Sequence, residues 1–231
     1  MISKKFCEAR VNFRGILVGI YAFFSLLVVV LCMILFKNKI RTIRKLWANS
    51  MLKIIGVKFT IIGKANPDAN MLMLNHNSML DILIFDYLWE KEIAWVTKKS
   101  LSKVPVFGQI FKRPKLILIN NKSKSALKRL LKESKKRLHD NMTLAVFPEG
   151  TRGKDDSILP FQIGAQIVAQ KFETIIQPII IINSKQRLDT KTFSSSKGEI
   201  KIIYLETPDI KKENWYKDLE NEMREVYKQY V

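Results

Sequence analysis

The hydrophobic pattern divides the chain into two parts. Residues 15–36 form a run of 22 residues without a charged side chain, in which only Tyr21 and Ser25 carry polar groups. A helix of this length is about as long as the hydrocarbon core of a bilayer is thick. From residue 57 onward, shorter apolar runs alternate with polar ones. The pattern therefore predicts a membrane-directed helix followed by a folded domain.

The apolar run has three interpretations, namely a membrane anchor, a cleaved signal peptide and a buried helix of the folded domain. It is longer than most signal-peptide cores, and basic residues at 37–45 follow it instead of a small-residue cleavage site. We interpret it as a retained anchor. Because basic residues flank it on both sides, charge does not decide between a tilted span and a helix that enters one leaflet and returns.

A second helix is predicted over residues 40–54, where apolar side chains recur every three or four residues. The apolar stripe consists of Ile40, Ile43, Trp47, Met51 and Ile54, and the basic residues off it are Arg41, Arg44, Lys45 and Lys53. Such a helix can lie on an anionic membrane surface or pack on the folded domain, and both alternatives stay open. We expect residues 1–56 to form a membrane-anchoring helical segment.

The remaining residues, 57–231, alternate between β-rich runs and helical patterns. The predicted strands are 57–63, 71–75, 93–96, 116–119, 143–147, 175–182 and 200–206. The predicted helices are 78–90, 123–138 with Ser123 as its N-cap, 161–172 and 211–230, and residues 193–198 are predicted to form a loop. This alternation indicates an α/β fold with a mixed, largely parallel central sheet flanked by helices.

Composition narrows the chemistry. The 231 residues carry a formal net charge of +19, which is typical of proteins that bind nucleic acids, membrane surfaces or anionic substrates. Ten of the basic residues lie in the first 56 positions, where Glu8 is the only acidic residue. Two cysteines and two histidines are too few for a disulfide framework or a Cys/His metal site, so no metal or cofactor is expected.

The basic run at 122–137 resembles a nucleic-acid-binding patch when taken alone. Because a membrane anchor precedes it, we favour a solvated helix face, or a surface for an acidic carrier protein or anionic lipid. No nucleic acid is therefore expected among the partners.

Candidate chemistry follows the predicted strand at 71–75. His76 comes directly after this strand, and Asp81 lies five residues later, in what we expect to be the second turn of the next helix. Sites in α/β folds lie beyond the carboxyl ends of strands. A bend before the helix can bring the carboxylate to the imidazole, and such a pair suits general-base catalysis on a substrate hydroxyl. A histidine held by ordinary hydrogen bonds is the alternative.

A second group of polar residues follows the predicted strand at 143–147 and reads FPEGTRG over residues 147–153. Gly150 and Gly153 allow a sharp turn near a ligand. Arg152 offers a planar donor group suited to phosphate, and Thr151 offers a hydroxyl. The sequence therefore predicts a phosphate-binding turn.

Taken together, NHNSMLD at 75–81 and FPEGTR at 147–152 resemble the glycerolipid acyltransferase superfamily, whose motifs are His–x4–Asp and Phe–Pro–Glu–Gly–Thr–Arg. The similarity extends over roughly residues 75–182 and includes KKSLSKVPVFG, LPFQIGA and QPIIII. In size and arrangement the chain is most similar to bacterial lysophosphatidic acid acyltransferases. Residues 57–231 would then be the acyltransferase domain.

The resemblance implies transfer of an acyl chain from acyl carrier protein or coenzyme A to the sn-2 hydroxyl of lysophosphatidic acid, which gives phosphatidic acid. His76 would be the general base and Asp81 its partner. Glu149, Gly150, Thr151 and Arg152 would belong to the block that binds the glycerol phosphate. It also implies contact with membrane lipids, at a bacterial inner membrane with the active site facing the cytoplasm.

The sequence departs from the family after the predicted strand at 116–119, where Asn120-Asn121-Lys122 replaces an Asp–Arg or similar pair. Lys122 can supply the charge but not the bidentate geometry of arginine, and Arg113 can compensate. The family's frequent Lys after the Phe of LPF is Gln162 here. These departures permit acylation of another lyso-lipid, such as a lyso-aminolipid. A catalytically silent membrane-binding protein is a further alternative, against which the intact His76 and Asp81 argue.

Overall fold

The computed structural model describes residues 12–103, 115–120, 123, 125–153 and 157–231. Its helices are α1 (Phe13–Leu35), α2 (Ile40–Ile55), α3 (Leu80–Leu88), α4 (Ala126–His139), α5 (Ile163–Phe172), α6 (Ser184–Arg187) and α7 (Trp215–Tyr230). Its strands are β1 (Val57–Ile62), β2 (Met71–Leu74), β3 (Ile93–Lys98), β4 (Ile117–Ile119), β5 (Thr143–Val146), β6 (Ile176–Ile182), β7 (Leu188–Asp189), β8 (Ser194–Ser195) and β9 (Gly198–Tyr204).

Seven strands form one sheet in the order β1-β9-β6-β2-β5-β3-β4. The five strands β6, β2, β5, β3 and β4 are neighbours in this order, and each of their pairings is parallel. Strand β9 is antiparallel to β6, and β1 is parallel to β9. All seven runs predicted as strands belong to this sheet, and the predicted fold class is confirmed.

The sheet is buried on both faces, as β2 shows most clearly. Its four side chains are all 0% exposed and alternate between the two faces. Leu72 and Leu74 pack with α1, α2 and α3, whereas Met71 and Met73 pack with α4, α5 and α7. The molecule is thus a three-layer structure in which α1 and α4 lie on opposite faces of the sheet.

Helix α1 is held to the domain at its N-terminal end. The Asn12 side chain accepts a hydrogen bond from the Gly15 N–H at 2.6 Å and also bonds the backbone of Ser195. Arg14 donates to the carbonyls of Ile54 and Ile55 at the end of α2. Many apolar side chains along α1 stay exposed, including Phe13, Ile20, Phe24, Val28, Leu31 and Leu35. At 23 residues, α1 is long and apolar enough to cross a membrane, by length and composition.

Helix α2 packs on the domain along a face that differs from the predicted stripe. Its buried residues are Arg44, Ala48, Met51, Leu52 and Ile55, while Ile54 is 45% exposed. The prediction that Arg44 lies off the buried face is therefore wrong. The reason is an ion pair, because the Arg44 guanidinium donates two hydrogen bonds to the carboxylate of Asp86 on α3.

Two local predictions are also wrong. Helix α4 begins at Ala126, so Ser125 and not Ser123 occupies the N-cap position, where it makes no side-chain capping bond. Residues 193–198 are not simply a loop, because β7 and β8 form a short antiparallel hairpin and β9 already begins at Gly198. Gly198 is paired with Val57, the first residue of β1, so both strands begin at this pair.

We expect Arg44→Ala to lower the free energy of unfolding by about 3 kcal/mol, because it leaves the Asp86 carboxylate buried without its cation. For a chain of this size this corresponds to a fall in Tm of roughly 10 °C. Thermal unfolding of the purified protein in detergent measures the change. Arg41→Ala removes an exposed cation from the same helix and is the matched control. Equal small shifts for both variants would contradict the prediction.

Candidate active site

The two sequence motifs meet at one edge of the sheet. Strands β2 and β5 are parallel neighbours, so the residues that follow their carboxyl ends come together. His76 follows β2, and the turn at 147–153 follows β5. The backbone N–H of Gly153 donates to the His76 carbonyl at 2.9 Å, which joins the two segments directly.

His76 and Asp81 form the pair that their spacing predicts. His76 Nδ1 lies 2.9 Å from Asp81 Oδ2, and the Asp81 side chain is fully buried. Helix α3 begins at Leu80, so Asp81 lies in its first turn and not in the second as expected. The loop before α3 therefore bends enough for the carboxylate to reach back to the imidazole.

The environment of Asp81 sets the direction of this hydrogen bond. Oδ2 also accepts the backbone N–H groups of Asn77 and Ser78, each at 2.9 Å. Because Oδ2 already accepts two backbone N–H groups, we assign His76 Nδ1–H as the donor of the third hydrogen bond. Nε2, the other ring nitrogen, is then the acceptor. The His76 side chain keeps 13% of its surface exposed, which suits a base that a substrate can approach.

Glu149 connects the motifs from inside the protein. Oε1 accepts the backbone N–H of His76 at 2.7 Å, and Oε2 accepts that of Leu159 at 2.8 Å. The residue is only 3% exposed. The resemblance places Glu149 in the block that binds the glycerol phosphate, and that role stays a prediction. What the geometry shows is a carboxylate that holds the backbone of the candidate base.

Burial raises the pKa of Glu149 to about 7. The loss of hydration is the largest cause, and the nearby Asp81 carboxylate adds to it. The two backbone hydrogen bonds and the Arg224 guanidinium act in the opposite direction but do not offset the burial. Burial therefore disfavours the charged form of Glu149. Because Oε1 accepts the His76 backbone N–H, protonation of Glu149 affects a contact that positions His76.

The imidazole of His76 is also fixed by aromatic stacking. The Phe147 ring lies parallel to it, with ring centroids 3.8 Å apart and an interplanar angle of 14°. Trp95 on β3 also stacks on Phe147, with ring centroids 5.3 Å apart and an interplanar angle of 18°. The Trp95 indole N–H donates to Asp86 Oδ1 at 2.9 Å, so the stack ends at the buried Arg44–Asp86 pair. These contacts orient the ring plane of the candidate base.

The predicted phosphate-binding turn lies beside this pair. Gly150 has a φ of +68°, a conformation that strongly favours glycine, and both Gly150 and Thr151 are exposed. The Arg152 guanidinium donates to Thr190 Oγ1 at 3.1 Å, on the loop between β7 and β8. Ser78 Oγ donates to the Leu188 carbonyl at 2.6 Å, which ties the same hairpin to the loop that carries His76.

Sequence reasoning missed several residues that support the site. Phe147 and Trp95 orient His76, Thr190 holds Arg152, and the Asn77 amide donates to the Tyr227 hydroxyl at 2.9 Å. The only sequence feature that pointed to ring stacking on His76 was the aromatic residue Phe147, directly before Pro148. Two predicted substrate-binding residues, Arg113 and Lys122, lie outside the residues that the structure describes.

Comparison with known proteins gives consistent matches. A family model described as Acyltransferase matches residues 56–182. A 1-acyl-sn-glycerol-3-phosphate acyltransferase from Helicobacter pylori is 35% identical over 193 residues, which cover 82% of this chain and 81% of the relative. A protein of the same name from Cocos nucifera is 26% identical over 76% of this chain, and the match spans 57% of that relative's length.

The fold has a counterpart among solved structures. The crystal structure of the 1-acyl-sn-glycerophosphate (LPA) acyltransferase PlsC from Thermotoga maritima superposes with a TM-score of 0.76, covering 94% of this chain and 95% of that one. The sequence identity is 18%, so this match shows the shared fold.

The raised pKa of Glu149 predicts how stability changes with pH. The folded protein binds a proton at this group more readily than the unfolded chain does, so its contribution to stability falls as the pH rises from about 4.5 to about 7. Glu149→Gln removes this titration. We therefore expect the Tm advantage of the parent over the variant to shrink across this range. An advantage that grows with pH, measured by thermal unfolding in detergent, would contradict the assigned direction.

Proposed function

Because the chain belongs to the acyltransferase family, we propose that it is a 1-acylglycerol-3-phosphate O-acyltransferase, which acylates lysophosphatidic acid to phosphatidic acid. The observation that carries this proposal is the His76–Asp81 pair, held beside the turn that contains Arg152. The names of the similar proteins support lysophosphatidic acid as the acyl acceptor. The acyl donor is a thioester of coenzyme A or of acyl carrier protein.

The reaction begins at the acceptor hydroxyl. His76 Nε2 takes the hydroxyl proton while the oxygen attacks the thioester carbonyl, so that a C–O bond forms and the carbonyl electrons move to its oxygen. Asp81 keeps Nδ1 protonated and stabilises the imidazolium. The oxyanion intermediate then collapses, the C–S bond breaks, and the thiolate receives the proton back from His76. The products are phosphatidic acid and a free thiol.

The remaining residues act through binding and positioning. Arg152 presents a planar, charged donor group to the phosphate of the acceptor, and Thr151 adds a hydroxyl beside it. Gly150 permits the turn that exposes both. Glu149 and Phe147 hold the backbone and the ring of His76, so their effect on the reaction passes through the base.

The same proposal assigns the exposed apolar surface of α1 to the membrane. Lysophosphatidic acid and its product are lipids, so an enzyme that is anchored at the bilayer meets its acceptor there. Many side chains of α1 are exposed and apolar, and its first turn is fixed to the domain by Asn12 and Arg14. Residues 1–56 are thus proposed as the anchoring segment of an inner-membrane enzyme whose site faces the cytoplasm.

An acceptor panel tests this function. The purified protein in detergent is given lysophosphatidic acid, a lyso-aminolipid or a phosphate-free lyso-lipid, together with palmitoyl-CoA or palmitoyl-acyl carrier protein. We expect the highest kcat/KM for lysophosphatidic acid. Transfer confined to a lyso-aminolipid or a phosphate-free acceptor would overturn the proposal, and no transfer from either donor would favour a silent protein.

His76→Ala is expected to lower kcat by about 10³-fold, because general-base catalysis typically contributes this much. His139→Ala is the matched control, since His139 is an exposed residue at the end of α4. Sedimentation with vesicles checks that both variants still bind the membrane. Parent-like turnover in His76→Ala would disprove the base assignment.

Arg152→Lys is expected to raise KM for lysophosphatidic acid by about 10-fold with a smaller effect on kcat, because lysine keeps the charge but loses the two-pronged geometry. Lys171→Ala, at an exposed position in the last turn of α5, controls for general loss of positive charge. A fall in kcat alone would argue against a role of Arg152 in phosphate binding.

A further inference from the structure

Helix α4 carries a dense group of exposed cations. Lys128, Arg129, Lys132, Lys135 and Lys136, here called the α4 basic face, are all exposed. At 100° per residue they occupy about a third of the helix circumference. Glu133 is the one acidic residue in α4, and it pairs with Arg137 outside this face. None of the five cations makes an ion pair with an acidic residue in the described part of the chain.

Such a face is unfavourable for the helix itself. Lys128 and Lys132, and Lys132 and Lys136, are like charges four residues apart, and such pairs repel each other along a helix. Binding to an acidic partner would offset this repulsion and use the positive field to speed association.

The location of the face relates it to the site. Strand β4 is parallel to β3, and therefore also to β5 and β2, so the chain leaves β4 at the sheet edge where His76 lies. Helix α4 starts at this edge, seven residues after β4, and runs back along the sheet. Lys128 and Arg129 are in its first turn. A protein docked along α4 would have one end at the carboxyl edge of the sheet, where β4 lies three strands from β2 and His76 follows β2.

The layer order separates this face from the membrane. Helix α4 packs on the face of the sheet opposite to α1, α2 and α3. A bilayer that contacts the exposed side of α1 lies beyond the other layer, so the α4 basic face points to water. The outer surface of α4 presents no aromatic side chain besides His139, whereas single-stranded nucleic-acid sites combine positive charge with stacking rings.

We propose that the α4 basic face is the docking surface for an acidic acyl carrier protein that delivers the acyl thioester to His76. The inference rests on the proposed acyl transfer and specifies its donor. Coenzyme A thioesters, which lack the carrier's protein surface, do not need these contacts. Donor choice would thus be set by a helix on the aqueous side, separate from the residues that bind the acceptor.

A charge-reversal variant tests the docking surface. The variant Lys128→Glu/Lys132→Glu/Lys136→Glu is compared with Lys211→Glu/Lys212→Glu/Lys228→Glu, which makes the same charge change at exposed positions on or near α7, in the same layer. The parent and both variants are assayed in detergent with palmitoyl-acyl carrier protein and with palmitoyl-CoA, at low and high salt.

We expect the α4 variant to lose at least 10-fold in kcat/KM with the carrier protein and to stay within about twofold with coenzyme A. The control variant should keep both activities. High salt should reduce the carrier-protein rate of the parent but change that of the α4 variant little, because screening acts on charge pairs between the partners. Binding of immobilised carrier protein to the parent and its loss in the α4 variant give a readout that needs no turnover.

Several results would overturn the inference. These are an equal loss with both donors, no loss with either, a parent that uses only coenzyme A, and a loss of binding to phosphatidylglycerol vesicles or single-stranded RNA instead of the carrier protein. Failure of the proposed function has a different outcome, since the parent would then transfer no acyl chain to lysophosphatidic acid from either donor. The binding measurement decides the docking question in that case.

Discussion

The buried carboxylate of Glu149 fixes the relative position of the two segments that form the site. It accepts one backbone N–H from the segment after β2 and another from Leu159, beyond the turn that contains Arg152. A hydrated loop would satisfy these donors with water, and their position would then vary. Here a carboxylate removed from water holds them. The raised pKa of Glu149 reflects the hydration that the carboxylate loses on burial. The backbone position of His76 depends on this buried carboxylate.

The ring of His76 is held by a second set of contacts that starts far from the site. Arg44 on α2 neutralises Asp86, Asp86 accepts the Trp95 indole, and Trp95 packs on Phe147, which covers one face of the imidazole. Each contact is between rigid, largely buried groups. Helix α2, which follows the apolar helix α1, therefore belongs to the set of contacts that position the candidate base.

Sequence patterns predicted the elements whose causes are local. The strand at 71–75 and the proximity of His76 to Asp81 follow from a short apolar run and a five-residue spacing. The stack on His76 could not be predicted, because it requires the spatial order β2-β5-β3, which no local pattern specifies. Arg44 was misplaced for the same reason, since its partner lies 42 residues away. Contacts between residues close in sequence could thus be predicted, whereas contacts that depend on the order of strands and helices in space could not.

The junction between α1 and the β7–β8 hairpin limits which parts of α1 can be changed without disturbing the candidate site. A Cβ at Gly15 would clash with the Phe193 carbonyl oxygen, and the Asn12 side chain bonds the Ser195 backbone through both its oxygen and its nitrogen. The same hairpin supports Arg152 through Thr190. Deleting α1 for crystallisation or expression would therefore remove a wall of the hairpin beside the site. A variant with less exposed apolar surface should keep the helix and replace only its outward apolar side chains, such as Phe24 and Val28, with polar ones.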